Sequence, residues 1–533
     1  MTFPLPYIEY CALPRYAQIG YKIADFFRKV FKGLVGFFVG IWFGLVKIIK
    51  GIGQVFKKMY QSFRYGDWAT KLSFLFIGTS NIKRGQIVKG ILMMLFEIAF
   101  ILIMIFFGGS ALVNLITLGE FRSGVMCPNS GNVYPNRDAA KADIANGGCR
   151  SPIEINPDNS PQMLLYGILA VALIIIFITY YFKSVTQSYE VQTQQEEGRH
   201  IKTFKEDIGD FLNSKFHITL LVLPIIGVIF FSILPLLDMI CMAFTNYDYR
   251  TEYPKGVFDW VGLTNFAQIA DFGGNGFGYT FIEILKWTLA WAVIATFTNF
   301  IIGILIATII NRKGIKFKKF WRTCLVLSVA VPQFVSLLAI SQFLNEFGPL
   351  TTFLKRLTGN NYIFLAQEYT EILFFGLPIK VDFPRLLIIL INIWIGVPYT
   401  VLSTTGILMN VPEDLYESAR IDGASPITMY FKITLRYIIF VMGPSLITTF
   451  IGNVNSFGVI FLLTGGGPKT NGFYGAAGHT DLLVTWLYHL TTGSDPDYKM
   501  ASVVGILIFI VSATISLILY RNSSSFKSEE DFA

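Results

Sequence analysis

Eight stretches of about 20 mostly apolar residues set the fold class, because a helix of that length crosses the hydrocarbon core of a bilayer. They lie at 87–107, 163–182, 218–243, 284–310, 323–344, 386–409, 438–463 and 500–520. The chain is 53% hydrophobic and 15% charged, whereas soluble domains carry about 25% charged residues. The sequence therefore predicts an all-α integral membrane protein with about eight transmembrane helices.

Lysine and arginine are unevenly distributed among the loops between these segments. If the N-terminal region lies inside, that side collects about 30 of the 43 basic residues, which the positive-inside rule favours. Both termini are then expected in the cytoplasm. We attribute the net charge of +8 to orientation and to contact with anionic membrane lipid, and we predict no nucleic-acid partner.

The N-terminal region is basic and amphipathic. At 100° per residue, eight basic residues between Lys22 and Lys58 fall within an arc of about 120°. This pattern predicts an interfacial helix on the inner leaflet. The alternative is that 34–46 forms a ninth, short span and inverts the topology.

The spans and loops also suggest domain boundaries along the chain. The expected parts are an interfacial region at 1–80, a two-span part at 81–215, a six-span core at 216–520 and a cytoplasmic tail at 521–533. A small extracytoplasmic loop is expected at 108–162 within the two-span part.

The five cysteines and four histidines show no Cys-x-x-Cys or His-x-x-x-His spacing, so we predict no metal site. Cys127 and Cys149 share the loop 108–162, which is placed outside the cell. Two interpretations remain open there, a disulfide and two unpaired thiols.

The loop 410–437 between the sixth and seventh segments has clear helix signals. Pro412 followed by Glu413 and Asp414 is typical of a helix start, because carboxylates suit the positive end of the helix dipole. Gly423 is expected to end this helix in a left-handed conformation, and Pro426 to begin another. The loop therefore predicts two short helices set at an angle at the membrane surface.

The same loop resembles the "EAA" coupling loop of type I ABC importer permeases. The matching residues are Glu417, Ala419, Asp422, Gly423, Ala424, Phe431, Ile433 and Leu435. Ser418 and Arg436 depart from the pattern, in which Ala and Pro are usual. The resemblance implies that this helix docks on an ATP-hydrolysing subunit, through Glu417, Ser418, Ala419, Asp422, Gly423 and Ala424.

Further segments resemble the MalF-type maltose/maltodextrin permeases within the binding-protein-dependent sugar permease family. They lie at 244–247, 260–266, 463–468 and 477–486, and the resemblance covers about 70–520. It implies a multi-pass subunit of the bacterial cell membrane that transports maltose, a maltodextrin or a related oligosaccharide.

The resemblance also implies the partners of such a subunit. They are a second, MalG-like permease, two MalK-like ABC ATPases and an extracytoplasmic sugar-binding protein. The chain lacks a Gly-x-x-x-x-Gly-Lys-Ser/Thr loop, so it is expected to bind no cofactor and to be no enzyme. ATP and magnesium are then expected on the separate ATPase.

The sugar site of the relatives can be carried over by position to the fifth, sixth and seventh segments. The residues are Val329, Gln333, Asn392, Ile395, Gly396, Tyr399, Thr449, Gly452, Asn453 and Ser456. Amides and hydroxyls can pair with sugar hydroxyls and Tyr399 offers a ring face, while Gly396 and Gly452 leave room. Departures at Val329, Gly452 and Ser456 suggest a different or longer glycan. The alternative is that Gln333, Asn392 and Asn453 only join helices.

Other classes of membrane protein place chemistry inside the bundle. An ion-coupled transporter needs ionisable residues there, and the segments offer Glu97 centrally, with Asp238, Glu283 and Lys286 near the ends. Glu97 is expected to pair within the bundle, although a proton relay is the alternative. We find no catalytic cluster for an intramembrane enzyme and no filter-like repeat for a channel.

Overall fold

The structure, a computed structural model, describes residues 14–120, 124–127, 132–134, 141–145, 153–155, 157–273, 276–312, 314–359, 363–374 and 377–522. Within these ranges, seven helices are long and apolar enough to cross a membrane: Ile87–Thr117, Ser160–Glu196, Phe216–Met242, Phe277–Asn311, Phe383–Leu408, Pro426–Thr464 and Tyr498–Tyr520. A bent pair of helices supplies an eighth span. The prediction of about eight spans is confirmed.

The chain divides into two compact units, an N-terminal unit, Phe38–Asn265, and a C-terminal unit made of Phe266–Ala533 with Met1–Phe37. Helices in the first part of the chain are α1 (Arg15–Tyr65), α2 (Trp68–Leu72), α3 (Thr79–Lys83), α4 (Ile87–Ile103), α5 (Gly109–Thr117), α6 (Lys141–Ala145), α7 (Ser160–Glu196), α8 (Phe204–Leu212), α9 (Phe216–Val228), α10 (Leu234–Met242) and α11 (Thr264–Ala267). π-Helical turns at Met104–Gly108 and Ile229–Ile233 join α4 to α5 and α9 to α10.

Helices in the rest of the chain are α12 (Phe277–Asn311), α13 (Lys318–Ala330), α14 (Gln333–Leu344), α15 (Pro349–Thr358), α16 (Phe383–Leu408), α17 (Glu413–Ile421), α18 (Pro426–Met429), α19 (Leu435–Val454), α20 (Gly458–Thr464), α21 (Leu483–Thr492) and α22 (Tyr498–Asn522). A π-helical turn, Tyr430–Thr434, joins α18 to α19. Short 3₁₀ turns lie at Gln268–Ala270 and Tyr474–Ala476.

Two small antiparallel sheets interrupt the helices. In the N-terminal unit, β1 (Gly124–Cys127) lies between β2 (Asn132–Tyr134) and β3 (Ile153–Ile155). In the C-terminal unit, β4 (Thr370–Phe374) pairs with β5 (Leu377–Val381), with Ile372 opposite Ile379.

The loop predicted at 108–162 begins later than expected, because the first span continues through α5 to Thr117. Cys127 lies in β1, and Cys149 lies outside the described residues, so the two interpretations of this pair stay open. The surface location of α1 also stays a prediction.

A buried carboxylate ties the first span of the N-terminal unit to the preceding segment. Glu97 lies in α4, is 8% exposed, and its Oε2 accepts a hydrogen bond from the backbone N–H of Ile77 at 2.8 Å. Glu97 therefore pairs within the bundle, as the sequence suggested, and holds the chain between α2 and α3 against α4.

Close packing of α12 against α16 forms the centre of the C-terminal unit. The two helices run in parallel, and a Cβ atom on Gly303 would meet the Thr400 side chain at 2.5 Å. Trp291 and Ile388 are fully buried in a core cluster that also includes Ile460 of α20. Small residues at this interface let the backbones approach closely.

The fifth predicted span, 323–344, is not one straight helix. It is broken between α13 and α14, with an 84° bend across the helix pair Lys318–Ala330 and Gln333–Thr358. Val331 is extended (φ −77°, ψ 128°) and Pro332 follows it. A residue before proline avoids the α conformation and proline has no N–H for the helix ladder, so this dipeptide accounts for the break.

Candidate functional site

The loop between α16 and α19 forms the short helix that the sequence predicts. Pro412 precedes α17, and Glu413 and Asp414 occupy its first turn. Ser425 caps α18 by accepting a hydrogen bond from the N–H of Thr428 at 3.2 Å, with Pro426 in the first helical turn. Both helix starts follow the signals identified in the sequence.

Gly423 ends α17 with a backbone that L-residues rarely adopt, at φ +74°. The N–H of Ala424 donates to the carbonyl of Ala419 at 2.9 Å, and the N–H of Gly423 donates to that of Arg420 at 3.0 Å. This pair of bonds is the Schellman arrangement. It explains chemically why glycine occupies the turn between the two short helices.

The predicted contact residues of α17 face outward. Glu417, Ser418, Asp422 and Gly423 are exposed, while Ala419 and Ala424 are half-buried. Beside them Ile421 is 86% exposed and Ile427 is 71% exposed. Two apolar side chains are thus left uncovered beside the predicted contact residues.

The positions predicted for sugar binding fall into three groups, and the first faces a cleft between α14 and α16. Gln333, Ile395 and Tyr399 line this cleft together with Ser336. Tyr399 is 48% exposed. Val329 is half-buried in the last turn of α13.

The second group consists of buried or closely packed positions, two of which contact α12. Asn453 donates its amide Nδ2–H to the Thr296 hydroxyl at 2.9 Å. Asn392 is 7% exposed, and its Nδ2 has no hydrogen-bond partner in the described part of the chain. A Cβ on Gly396 would lie 2.2 Å from Asn299 Nδ2. Gly396 thus permits helix contact rather than leaving space for a ligand.

The other three positions on or after α19 are more open than Asn453, which faces α12. Thr449 is exposed and its hydroxyl donates to the Ser445 carbonyl at 2.8 Å. A Cβ on Gly452 would meet nothing within 4 Å, and Ser456 is half-buried. Gly452 therefore does leave open space, as the sequence suggested.

Thr296 and Asn299 of α12 were not among the predicted site residues. They are polar residues three positions apart in a mostly apolar span, so they share one face of the helix. That spacing was a usable signal. Their partners, Asn453 and Gly396, lie 157 and 97 positions further along the chain, which no local pattern reveals.

Comparison with known proteins identifies the family of this chain. Residues 299–526 match the family described as binding-protein-dependent transport system inner membrane component. The galactooligosaccharides transport system permease protein GanP of Bacillus subtilis is 35% identical over 381 residues, covering 70% of this chain and 86% of that protein.

Two maltodextrin permeases are also similar. The maltodextrin transport system permease protein MalC of Streptococcus pneumoniae is 31% identical over 490 residues, covering 91% of this chain and 96% of that protein. The maltose/maltodextrin transport system permease protein MalF of Escherichia coli is 32% identical over 261 residues, or 48% of each chain. The chain therefore belongs to the family of binding-protein-dependent transport system inner membrane components, the permease subunits of ABC importers.

Proposed function

We propose that this permease conducts an oligosaccharide of the maltodextrin class across the cell membrane, driven by ATP hydrolysis on a separate subunit. The observation that carries the proposal is the exposed helix α17, which ends in the Schellman turn at Gly423. A short helix that protrudes between two spans and leaves apolar side chains uncovered suits docking in a cleft of a motor protein.

The partners follow from this role. We expect a second, MalG-like permease, two MalK-like ATPases that hold ATP and magnesium, and an extracytoplasmic binding protein that delivers the sugar. The dependence on a binding protein has support in the family description. The positive-inside distribution of lysine and arginine supports cytoplasmic placement of both termini.

Within the bundle, we propose that the sugar contacts the cleft between α14 and α16. Tyr399 offers an open ring face for stacking, and Gln333 offers an amide for sugar hydroxyls. Thr449 and Gly452 of α19 are exposed as well. We assign Gly396 and Asn453 a supporting role, in which they fix α16 and α19 against α12.

Galactooligosaccharides are the second candidate substrate. The similarity to GanP is higher in identity, at 35%, but it covers 70% of this chain. The similarity to MalC extends over 91% of the chain, which is why maltodextrins come first. We attribute the departures at Val329, Gly452 and Ser456 to a longer or different glycan.

The test is transport by the complex reconstituted in proteoliposomes with its partners and a panel of maltodextrins and galactooligosaccharides. Gly423→Asp should abolish sugar-stimulated ATP hydrolysis and uptake while the subunits remain assembled, because aspartate both strains the turn and blocks docking. Gly359→Asp is the matched control, since Gly359 also follows a helix at φ +75° with nothing within 4 Å of its Cβ position. Coupled uptake at the normal rate by assembled Gly423→Asp complex would contradict the proposal.

A further inference from the structure

A cavity of about 410 Å³ lies in the C-terminal unit where α12 and α16 begin. That volume is within the range of small-molecule sites, roughly 300–1,000 Å³. The first turns of both helices and the loop between Thr470 and Asp481 form its walls. Because α16 leads directly into α17 at its other end, the cavity opens at the side of the span opposite to the coupling loop.

The floor of the cavity is rigidly built around Arg385. Its guanidinium lies 4.4 Å from the centre of the Trp287 ring and donates through Nη2 to the carbonyl of His479 at 2.7 Å. His479 in turn donates through Nε2 to the Asp382 carboxylate at 2.7 Å. These contacts fix a cation, a ring and a histidine without using residues of the cleft between α14 and α16.

Asp382 is charged in this arrangement. Burial by itself raises the pKa of Asp382, but the hydrogen bonds from His479 and from the N–H of Arg385 outweigh it and keep the pKa below the ordinary value. The carboxylate therefore offsets the nearby guanidinium, with Arg385 Nε 3.7 Å from its oxygen.

Two further carboxylates of the cavity are held by neighbouring side chains. Lys286 Nζ lies 2.7 Å from Glu283 Oε1, and Glu368 accepts a hydrogen bond from the Thr470 hydroxyl at 2.7 Å. With Asp481, three lining carboxylates outnumber the two lining cations, Lys286 and Arg385. The cavity therefore disfavours an anion and suits a neutral ligand with many hydroxyl groups. Its carboxylates and guanidinium supply acceptors and donors for such a ligand.

Aromatic rings supply the remaining surface. Tyr279 and Tyr369 are 41% and 52% exposed. Each is held edge to face by a neighbour: Tyr279 has Phe473 at 6.1 Å and Tyr369 has His479 at 5.5 Å between ring centres. Fixed rings with open faces, beside polar groups, are the chemistry that recognises the apolar face and the hydroxyls of a sugar ring.

We propose that this cavity is an outer carbohydrate site that receives one end of the oligosaccharide before the sugar enters the bundle. The inference rests on the proposed sugar transport and adds a second point of contact. Tyr279 and Tyr369 stack on sugar rings, and Arg385, Glu283 and Glu368 pair with their hydroxyls. A site at this position lengthens the substrate that the permease can hold.

The test measures equilibrium binding of radiolabelled maltoheptaose to the full complex in lipid nanodiscs without the binding protein. The double variant Tyr279→Ala/Tyr369→Ala should weaken outer-site binding by about tenfold or more, since it removes both stacking faces. Tyr399→Ala should leave binding at the outer site intact and remove binding at the inner site, the cleft between α14 and α16. Phenylalanine at both outer positions keeps the rings and should restore binding. Phe347→Ala, which removes an exposed ring outside the cavity, is the matched control.

Uptake measurements distinguish a failure of the outer site from a failure of the proposed sugar transport. If the double alanine variant binds and transports maltoheptaose as the unaltered complex does, the outer site is overturned and sugar transport stands. The outer site is also overturned if the unaltered complex transports the sugar, its maltoheptaose binding shows a single component, and Tyr399→Ala removes that component. If the unaltered complex binds and transports none of the glycans in the panel, the proposed function fails and the outer site with it.

Discussion

The hydroxyl of Tyr416 lies 2.8 Å from the hydroxyl of Thr434. Tyr416 is in α17, and Thr434, which is buried, ends the π-helical turn that leads into α19. This hydrogen bond joins the exposed helix α17 to the base of a spanning helix. A displacement of α17 therefore reaches α19 through a side-chain contact as well as along the chain.

Tyr416→Phe should raise the number of ATP molecules hydrolysed per sugar imported. The change removes one hydrogen bond, a contribution of about 0.5–1.5 kcal/mol, without changing the docking surface. The measurement is the ratio of ATP hydrolysis to uptake in proteoliposomes. Tyr437→Phe removes a hydroxyl three positions beyond Thr434 and should leave the ratio unchanged. An unaltered ratio in Tyr416→Phe would show that this contact transmits nothing.

Gly396→Ala and Gly452→Ala should have opposite effects on stability. Alanine is favoured over glycine inside a helix by about 0.8–1.0 kcal/mol, and Gly452 has free space around it, so its variant should be the more stable one. At Gly396 the new methyl must displace Asn299, which should lower the unfolding temperature. Thermal unfolding in detergent compares the two, and equal shifts would argue against the close contact of α12 and α16.

Glu97→Leu should destabilise the N-terminal unit, because it leaves the buried N–H of Ile77 without an acceptor. The expected cost is about 1–3 kcal/mol, read from thermal unfolding. Glu97→Gln keeps a side-chain oxygen at that position and should cost much less. Transport driven by ATP should show the same pH dependence in Glu97→Gln as in the unaltered protein. If Glu97 were a proton relay, transport by this variant would lose its pH dependence.

Raising the pH should loosen the loop and helix around His489. Its Nε2 lies 3.5 Å from the Asp481 carboxylate and donates to the Gly465 carbonyl at 3.0 Å. The bond with Asp481 raises the pKa of His489 above its ordinary 6.5. The stabilisation is therefore complete below pH 6.5 and is lost as the pH rises through the raised pKa.

Hydrogen exchange of residues 465–493 as a function of pH measures this effect. His489→Gln should remove the pH dependence, while His200→Gln, a change at an exposed histidine in the other unit, should preserve it. Equal exchange at low and high pH in the unaltered protein would refute the role of the charged imidazole.

Local signals in the sequence predicted much of this fold. The lengths of the apolar segments located the spans. Pro412, Gly423 and Pro426 located the short helices α17 and α18, because helix starts and ends depend on residues within one turn. The break after Ala330 was missed although Pro332 marks it, since hydropathy alone reads 323–344 as continuous. Mean hydropathy over a whole segment conceals a single proline, although a proline within a helix bends or breaks it.

The candidate site was less predictable because it depends on pairing between distant helices. Position along the chain grouped Tyr399 with Gly396, yet the structure turns Tyr399 toward the cleft and Gly396 toward Asn299. The ring of Trp287 and the guanidinium of Arg385 are likewise brought together by tertiary packing. Which face of a helix meets which neighbour is decided by the whole bundle.

The corner at Val331 and Pro332 also limits what can lie beside it in a membrane. A helix end leaves carbonyl groups without partners in its last turn, and hydrocarbon tails offer them none. Both residues are exposed on this chain midway along an apolar segment, so we expect no lipid tail beside them. Water or another subunit is then the expected neighbour of this corner.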